Sequence, residues 1–387
     1  MKTDSLILGE SLELLIDNRG KNPPFSPAGV PVVSGMSVRA GRLDLTAANT
    51  ASIDTWKEWM PRPTEPNDVV LTSEAPLGRV ALVRTDEPIV IGQRVFCMRG
   101  LAGKLDSRYL YYAFQTDHVQ ADLASRATGT TVLGIRQPEL RKVRIPAPSF
   151  EEQRAIAEVL GVIDDKIVAN ERVVEAAVAL MFATVNSVTA FAPLSILASQ
   201  STTSRYPEQF GDSVAHFSLP AFDAGAVPEI VHGKTIKSNK FALSEPCVLF
   251  SKLNPRIPRI WNVCELPMEM PLASTEFVVL TSVAVDASLL WAALSQPEIS
   301  EELRQKVAGT SGSHQRIRPH DLLGIQVRDV RELSPDLTGL VAGLGQVCHE
   351  RRKESRVLAR TRDELLPLLM SGRVRVKDAE AAVSEVL

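Results

Sequence analysis

Apolar side chains recur at Ile156, Val159/Leu160, Ile163 and Ile167, then at Val174, Ala177 and Met181. Their period is close to 3.5 residues, the mark of a helix that buries one stripe against a partner. Behind the Pro146/Pro148 breakers, Ser149 with Glu152 three residues on has the spacing of a capping box. The pattern predicts a helix from about Glu151 to Asn186. A second stripe, Leu337, Leu340/Val341, Leu344, Val347, Leu358, Leu365 and Leu368/Leu369, predicts another from about Asp336 to Met370. Each would be about 50 Å long at roughly 1.5 Å per residue. Neither is amphipathic enough to stand alone, so they are expected to pair with each other. Asn170 falls on the first seam, where a polar residue fixes register at some cost in stability.

The segments ahead of the two helices resemble one another at an offset of about 180 residues. Asp68-Val-Val-Leu-Thr-Ser parallels Cys247-Val-Leu-Phe-Ser-Lys as a strand, and Pro88 to Phe96 matches the character of Pro271 to Val279. Tyr109 to Gln115 and Leu289 to Ser295 both read as short helices. A Gly-Thr segment from Gly129 and another from Gly309 each lead into Ile-Arg and a proline, then into the strand-like runs Val143 to Ile145 and Ile325 to Val327. Solenoid units are only about 20–50 residues long, so this repeat is a domain duplication. The expected fold class is α+β: two similar α/β domains separated by two long antiparallel coiled-coil helices, with pseudo-two-fold symmetry. The expected divisions are 1–148, 149–190, 191–335 and 336–372, with a tail at 373–387.

Composition adds little that is unusual. The 387 residues carry 43 Lys+Arg against 46 Asp+Glu, and 44% are hydrophobic. That excludes a disordered or collagen-like chain and predicts two or three domains. Cys97, Cys247, Cys264 and Cys348 are far apart, which fits buried thiols in a reducing compartment and not a zinc site or disulfide framework. Met1 to Glu10 lacks the charge-then-apolar pattern of a signal peptide. The uncharged stretch from Ala176 to Ser204 is interrupted by Asn186, Ser187, Thr189 and Pro193, so no membrane span is expected. The expected location is the cytoplasm.

Catalytic patterns are missing. The sequence has no phosphate-binding G-x-x-x-x-G-K-[ST] loop, no H-E-x-x-H and no G-x-S-x-G. His118, His216, His232 and His349 are isolated, and His320 reads as a surface turn residue. Asn22-Pro23-Pro24-Phe25 spells the tetrapeptide with which adenine N6-methyltransferases hold a flipped adenine. Here it follows Arg19-Gly20-Lys21 instead of a buried apolar strand, no glycine-rich cofactor loop accompanies it, and it reads as a Pro-rich turn near the first strand.

The distribution of charge changes the picture more than its sum. Residues 151–190 hold seven acidic and three basic groups. Arg126, Arg136, Arg141, Lys142 and Arg144 face only Glu139 within 126–144. Lys234, Lys237, Lys240, Lys252, Arg256 and Arg259 face only Glu245 within 234–259, and Arg304, Lys306, Arg316 and Arg318 have no carboxylate among them. Basic patches thus recur in corresponding loops of both copies, among Thr, Ser, Asn and Gln. That mixture suits phosphate contacts together with base-edge hydrogen bonds.

The run Ile145-Pro-Ala-Pro-Ser-Phe-Glu-Glu-Gln-Arg-Ala-Ile-Ala-Glu-Val-Leu160, continuing through Ile163-Asp-Asp-Lys-Ile167, resembles the conserved helix of type I restriction–modification specificity subunits. Glu364-Leu-Leu-Pro-Leu-Leu-Met-Ser-Gly372 resembles that family's C-terminal helix ending. In the second copy, Asp329-Val-Arg-Glu-Leu-Ser-Pro departs from the Pro-x-Pro…Glu-Gln entry. The resemblance implies a non-catalytic subunit whose two target-recognition domains each read one half of a bipartite DNA sequence. The helices would set the spacer and dock partners. Those partners would be two modification (methyltransferase) subunits, bringing S-adenosylmethionine, and two ATP- and Mg-dependent restriction subunits. No cofactor is expected in this chain.

The candidate base-contacting residues lie in the Gly-Thr loops: Thr128, Thr130, Thr131 and Arg136 in the first copy, and Thr310, Ser311, Ser313, His314, Gln315, Arg316 and Arg318 in the second. Lys252, Asn254, Arg256 and Arg259, with Ser73, Arg79 and Arg94, are candidates from neighbouring loops. Two other readings of the chain are an autonomous adenine N6-methyltransferase built around Asn22 to Phe25, and a coiled-coil scaffold that binds only protein.

Overall fold

In the computed structural model, residues 5–18, 20–39, 41–254, 258–307 and 316–387 are described, apart from the side chains of 304–307. The chain divides into two units, one formed by Met1–Asp165 with Leu358–Leu387 and the other by Lys166–Val357.

The main sheet of the first unit has four strands in the order Leu12–Asp17, Val95–Gly100, Val69–Thr72, Val80–Leu82. Neighbours are antiparallel throughout. Val69 to Thr72 are buried on both faces, which explains a continuous apolar run where alternation would mark a half-exposed strand. A smaller sheet places Val30–Val33 parallel to Val90–Ile91. Helix Ser107–Ala113 starts at Asp106, whose carboxylate accepts the Tyr109 N–H at 2.9 Å, and it brings Tyr109, Tyr111 and Tyr112 into the core. Ser5–Ile7 pairs with Arg144–Pro146 to close the unit.

The second unit repeats this plan. Its main sheet runs Ala198–Ser201, Phe277–Ser282, Cys247–Ser251, Ile260–Val263, again antiparallel. Ser213–Phe217 lies parallel to Met270–Ala273 in a five-stranded companion sheet. Helix Ala287–Leu294 is capped by Asp286, the counterpart of Asp106. Phe191–Pro193 pairs with Gln326–Arg328, as Ser5–Ile7 does with Arg144–Pro146. The two similar α/β domains expected from the internal repeat are therefore seen in strand order, helix order and capping.

The long helices are Phe150–Asn186 and Pro335–Met370. The start of the first is fixed in the first unit. Ser149 Oγ accepts the Glu152 N–H at 3.2 Å. Buried Gln153 spends its whole amide on the chain around it, accepting from Asp106 N–H at 3.0 Å and donating to the Lys104 and Pro148 carbonyls at 3.1 Å each. In the second unit, Asn170 Nδ2 donates to Glu354 Oε2 at 3.0 Å and to Ser355 Oγ at 3.3 Å. Cys348 Sγ lies 3.9 Å from the Val174 carbonyl. Residue numbers rise along one helix as they fall along the other, so the helices are antiparallel in this unit. Asn170 is buried on the seam as the heptads require, and Val341 is buried where Leu337 and Leu340 are exposed. Beyond Gly372, where a tail was expected, Val376–Ser384 forms a further helix that buries Ala379 and Val383. No helix among the described residues is long and apolar enough to cross a membrane.

Candidate nucleic-acid interface

Each unit ends a buried strand of its main sheet in the same backbone clasp. In the first unit the strand Val69–Thr72 runs into Ser73. Ser73 N–H donates to the Arg94 carbonyl at 2.9 Å, and the Ser73 carbonyl accepts the Ile135 N–H at 2.9 Å. In the second unit Lys252 follows the strand Cys247–Ser251. Lys252 N–H donates to the Glu276 carbonyl at 2.8 Å, and its carbonyl accepts the Ile317 N–H at 3.0 Å. The residue after each buried strand thus holds, through its backbone, the segment that follows each Gly-Thr stretch. Rigid support of this kind is what a recognition loop needs to present side chains at fixed positions.

The first unit's loop is closed by Thr128 and Gly134, which exchange N–H···O bonds of 2.8 and 2.9 Å. Thr130, Thr131, Val132 and Leu133 form its exposed tip. Gly129 has φ +120°, and a Cβ there would collide with the Val132 carbonyl, so the tight turn requires glycine. Arg136 is exposed just after the clasp and precedes the short helix Gln137–Leu140, which has proline in its first turn. Arg318 holds the same place before Pro319–Leu323.

An arginine–glutamate pair sits on each clasp. Arg94 Nε lies 3.1 Å from Glu74 Oε1, and Arg316 Nη2 lies 3.1 Å from Glu276 Oε1. Glu276 stands where the other unit has Arg94, since both precede the sheet's next strand and accept the strand-end N–H. The pair is retained while its acid and base come from different segments. Both guanidinium side chains remain more than half exposed, at 56% and 59%.

The other candidates divide into open and engaged residues. Arg79 is exposed after a bend in which Thr72 Oγ1 donates to the Pro76 carbonyl at 2.6 Å and accepts the Arg79 N–H at 2.9 Å. Asn254 is exposed in a left-handed conformation, φ +49°. Ser73 is buried and contributes through its backbone. Lys252 Nζ donates to the Thr275 carbonyl at 2.7 Å and lies 5.4 Å from the centre of the Phe241 ring. Burial pushes its pKa below the usual lysine value. Arg259 makes a two-pronged contact with Asp223 at 2.7 and 3.0 Å. Arg256, Thr310, Ser311, Ser313, His314 and Gln315 lie outside the described residues. Glu74 and Glu276 are not among the residues that the sequence pattern singles out, because their partners Arg94 and Arg316 lie 20 and 40 residues further along the chain.

The tetrapeptide Asn22 to Phe25 lies in irregular backbone beyond the strand Leu12–Asp17, with Asn22 and Phe25 exposed. Among the described residues no group of three or more His, Cys, Asp or Glu could hold a metal ion.

Residues 61–176 match the model of the type I restriction modification DNA specificity domain. That stretch, less than a third of the chain, is similar to this domain family. The matched stretch contains the first unit's clasp, its Gly-Thr loop and the greater part of the long helix. Over 105 residues the chain is 34% identical to the specificity subunit of the type I restriction enzyme MjaVIII of Methanocaldococcus jannaschii. Over 101 residues it is 38% identical to the MjaIX specificity subunit of the same organism. Each alignment takes in 26% of this chain, and they take in 25% and 22% of those relatives, so the match spans about a quarter of their length. The S subunit of a type I restriction–modification system from M. genitalium has the same fold, with a TM-score of 0.60 at 17% identity over 95% of both chains.

Proposed function

We propose that this chain is the DNA-reading subunit of a type I restriction–modification assembly and carries no catalysis of its own. Residues 1–148 and 191–335 act as target-recognition domains, each reading one half of a bipartite sequence in the major groove. The long helices, 149–190 and 336–372, with the segment 373–387, serve as spacer and docking surface. What carries this reading is the repeated clasp: two units of one topology each hold an arginine-bearing loop on the end of a buried strand. A chain that reads two different half-sites needs one scaffold twice with different side chains on it. The Arg94–Glu74 and Arg316–Glu276 pairs have that character.

In this assembly two modification subunits supply S-adenosylmethionine and the methyl transfer. Two restriction subunits supply ATP- and Mg-dependent translocation and cleavage. The chain's net charge of -3, with its acidic excess on the first long helix, favours weak binding of DNA by the chain alone and firm binding with modification subunits. The test is to map methylated adenines in a host genome with and without this chain. A bipartite motif should vanish with the chain and return when it is supplied. Methylation that persists unchanged would refute the role.

A further inference from the structure

A cleft of about 270 Å³ opens in the first unit beside the clasp. Asn22, Asn49 and Gln93 line it with amides, and Phe25 and Met36 stand at its edge, 52% and 79% exposed. Gly35 packs against Arg94 and Glu74, and Gln93 directly precedes Arg94 in the chain, so the cleft is continuous with the loop platform. None of the three amides makes a side-chain hydrogen bond to another described residue. Charge within the cleft is balanced. Arg39 faces Asp44, whose carboxyl is held below the usual range by hydrogen bonds from the Thr46 side chain and backbone, opposed by slight desolvation. A site for phosphate would carry an excess of cations, and a guanine reader would centre on an arginine fork.

We infer that this cleft reads an A·T pair in the half-site of the first unit, with amides addressing adenine and Phe25 and Met36 packing on the thymine methyl group. A carboxamide offers the donor and acceptor that match adenine N7 and N6, and the thymine methyl is the apolar feature of the major groove. Free amides next to exposed apolar side chains are the combination such a pair requires. The reading absorbs Asn22 and Phe25, whose tetrapeptide has no cofactor loop to serve. It rests on the DNA-reading role proposed above.

The test selects bound duplexes from a random-sequence library with the full chain assembled with its modification subunits. Gln93→Ala should lower the preference for A·T at one position of one half-site by about ten- to a hundredfold, leaving the other half-site intact. Replacing that thymine by deoxyuridine should weaken wild-type binding and leave Met36→Ala binding unchanged. Variants that select the wild-type motif would overturn the cleft assignment while the wild-type bipartite motif upholds the proposed function. Equal loss at every position of both half-sites would also overturn it. A wild-type selection without a bipartite motif would overturn both.

Discussion

Arg362 donates from Nη1 to Oδ1 of Asp164 at 2.7 Å and so ties the second long helix to the first within the first unit. The Asp164 side chain is only 7% exposed, and its other oxygen accepts the Tyr112 hydroxyl at 2.7 Å. Burial, and then the Asp164 charge, push the Tyr112 hydroxyl far above its usual pKa, so it remains a donor. A charge removed from water in this way is stable only while its partners stay in place. Arg362→Ala should destabilise the chain by about 3 kcal/mol, the low end for a broken buried pair, because Tyr112 still donates. Urea unfolding checks this, and a double variant with Asp164→Asn should lose less than the sum of the two single losses.

The second unit makes the helix pairing sensitive to acid. Burial disfavours the Glu354 carboxylate, but hydrogen bonds from Lys166 and Asn170 outweigh it and hold the pKa below the usual range. A pKa lower in the folded than in the unfolded chain means that folding is favoured when the group is ionised. The contribution is complete above the unfolded value of about 4.3 and is lost as pH falls through the folded value. Glu354→Gln should therefore lower stability near neutrality and flatten the acid side of the stability–pH curve, as read by thermal unfolding between pH 7 and pH 3.

Arg316 and Glu276 offer a test in the second unit. Arg316→Ala should relax base preference in one half-site only, by about five- to a hundredfold at the position it reads. Glu276→Gln removes a nearby negative charge and frees the guanidinium, so binding should tighten and fall more steeply with salt. Library selection and salt titrations on the assembled complex measure both effects. Equal loss at both half-sites from Arg316→Ala would count against its place on one domain's reading surface.

The sequence made the long helices legible because their seam repeats with a helical period, and Asn170 stands on that seam as a buried polar residue should. The duplication was legible because strand, short helix and Gly-Thr segment recur in one order. The parallel pairs Val30–Val33 with Val90–Ile91 and Ser213–Phe217 with Met270–Ala273 were hidden, since strands of two to five residues carry too little periodicity. Asp164 was hidden for another reason. A carboxylate beside Ile163 reads as surface until Tyr112 and Arg362, far away in sequence, are brought to it. Arg136 is a candidate from its motif, and the structure places it exposed beyond the clasp. The engagement of Arg259 by Asp223 and of Lys252 by the Thr275 carbonyl depends on tertiary neighbours that spacing does not encode.

The most direct test of the central claim uses the equivalent residues Arg136 and Arg318, each exposed just beyond its clasp. Arg136→Ala and Arg318→Ala should be assembled with modification subunits and their methylation motifs mapped genome-wide. The account predicts a bipartite motif relaxed in one half by the first variant and in the other half by the second. Relaxation of the same half by both variants, or of neither half, would contradict it.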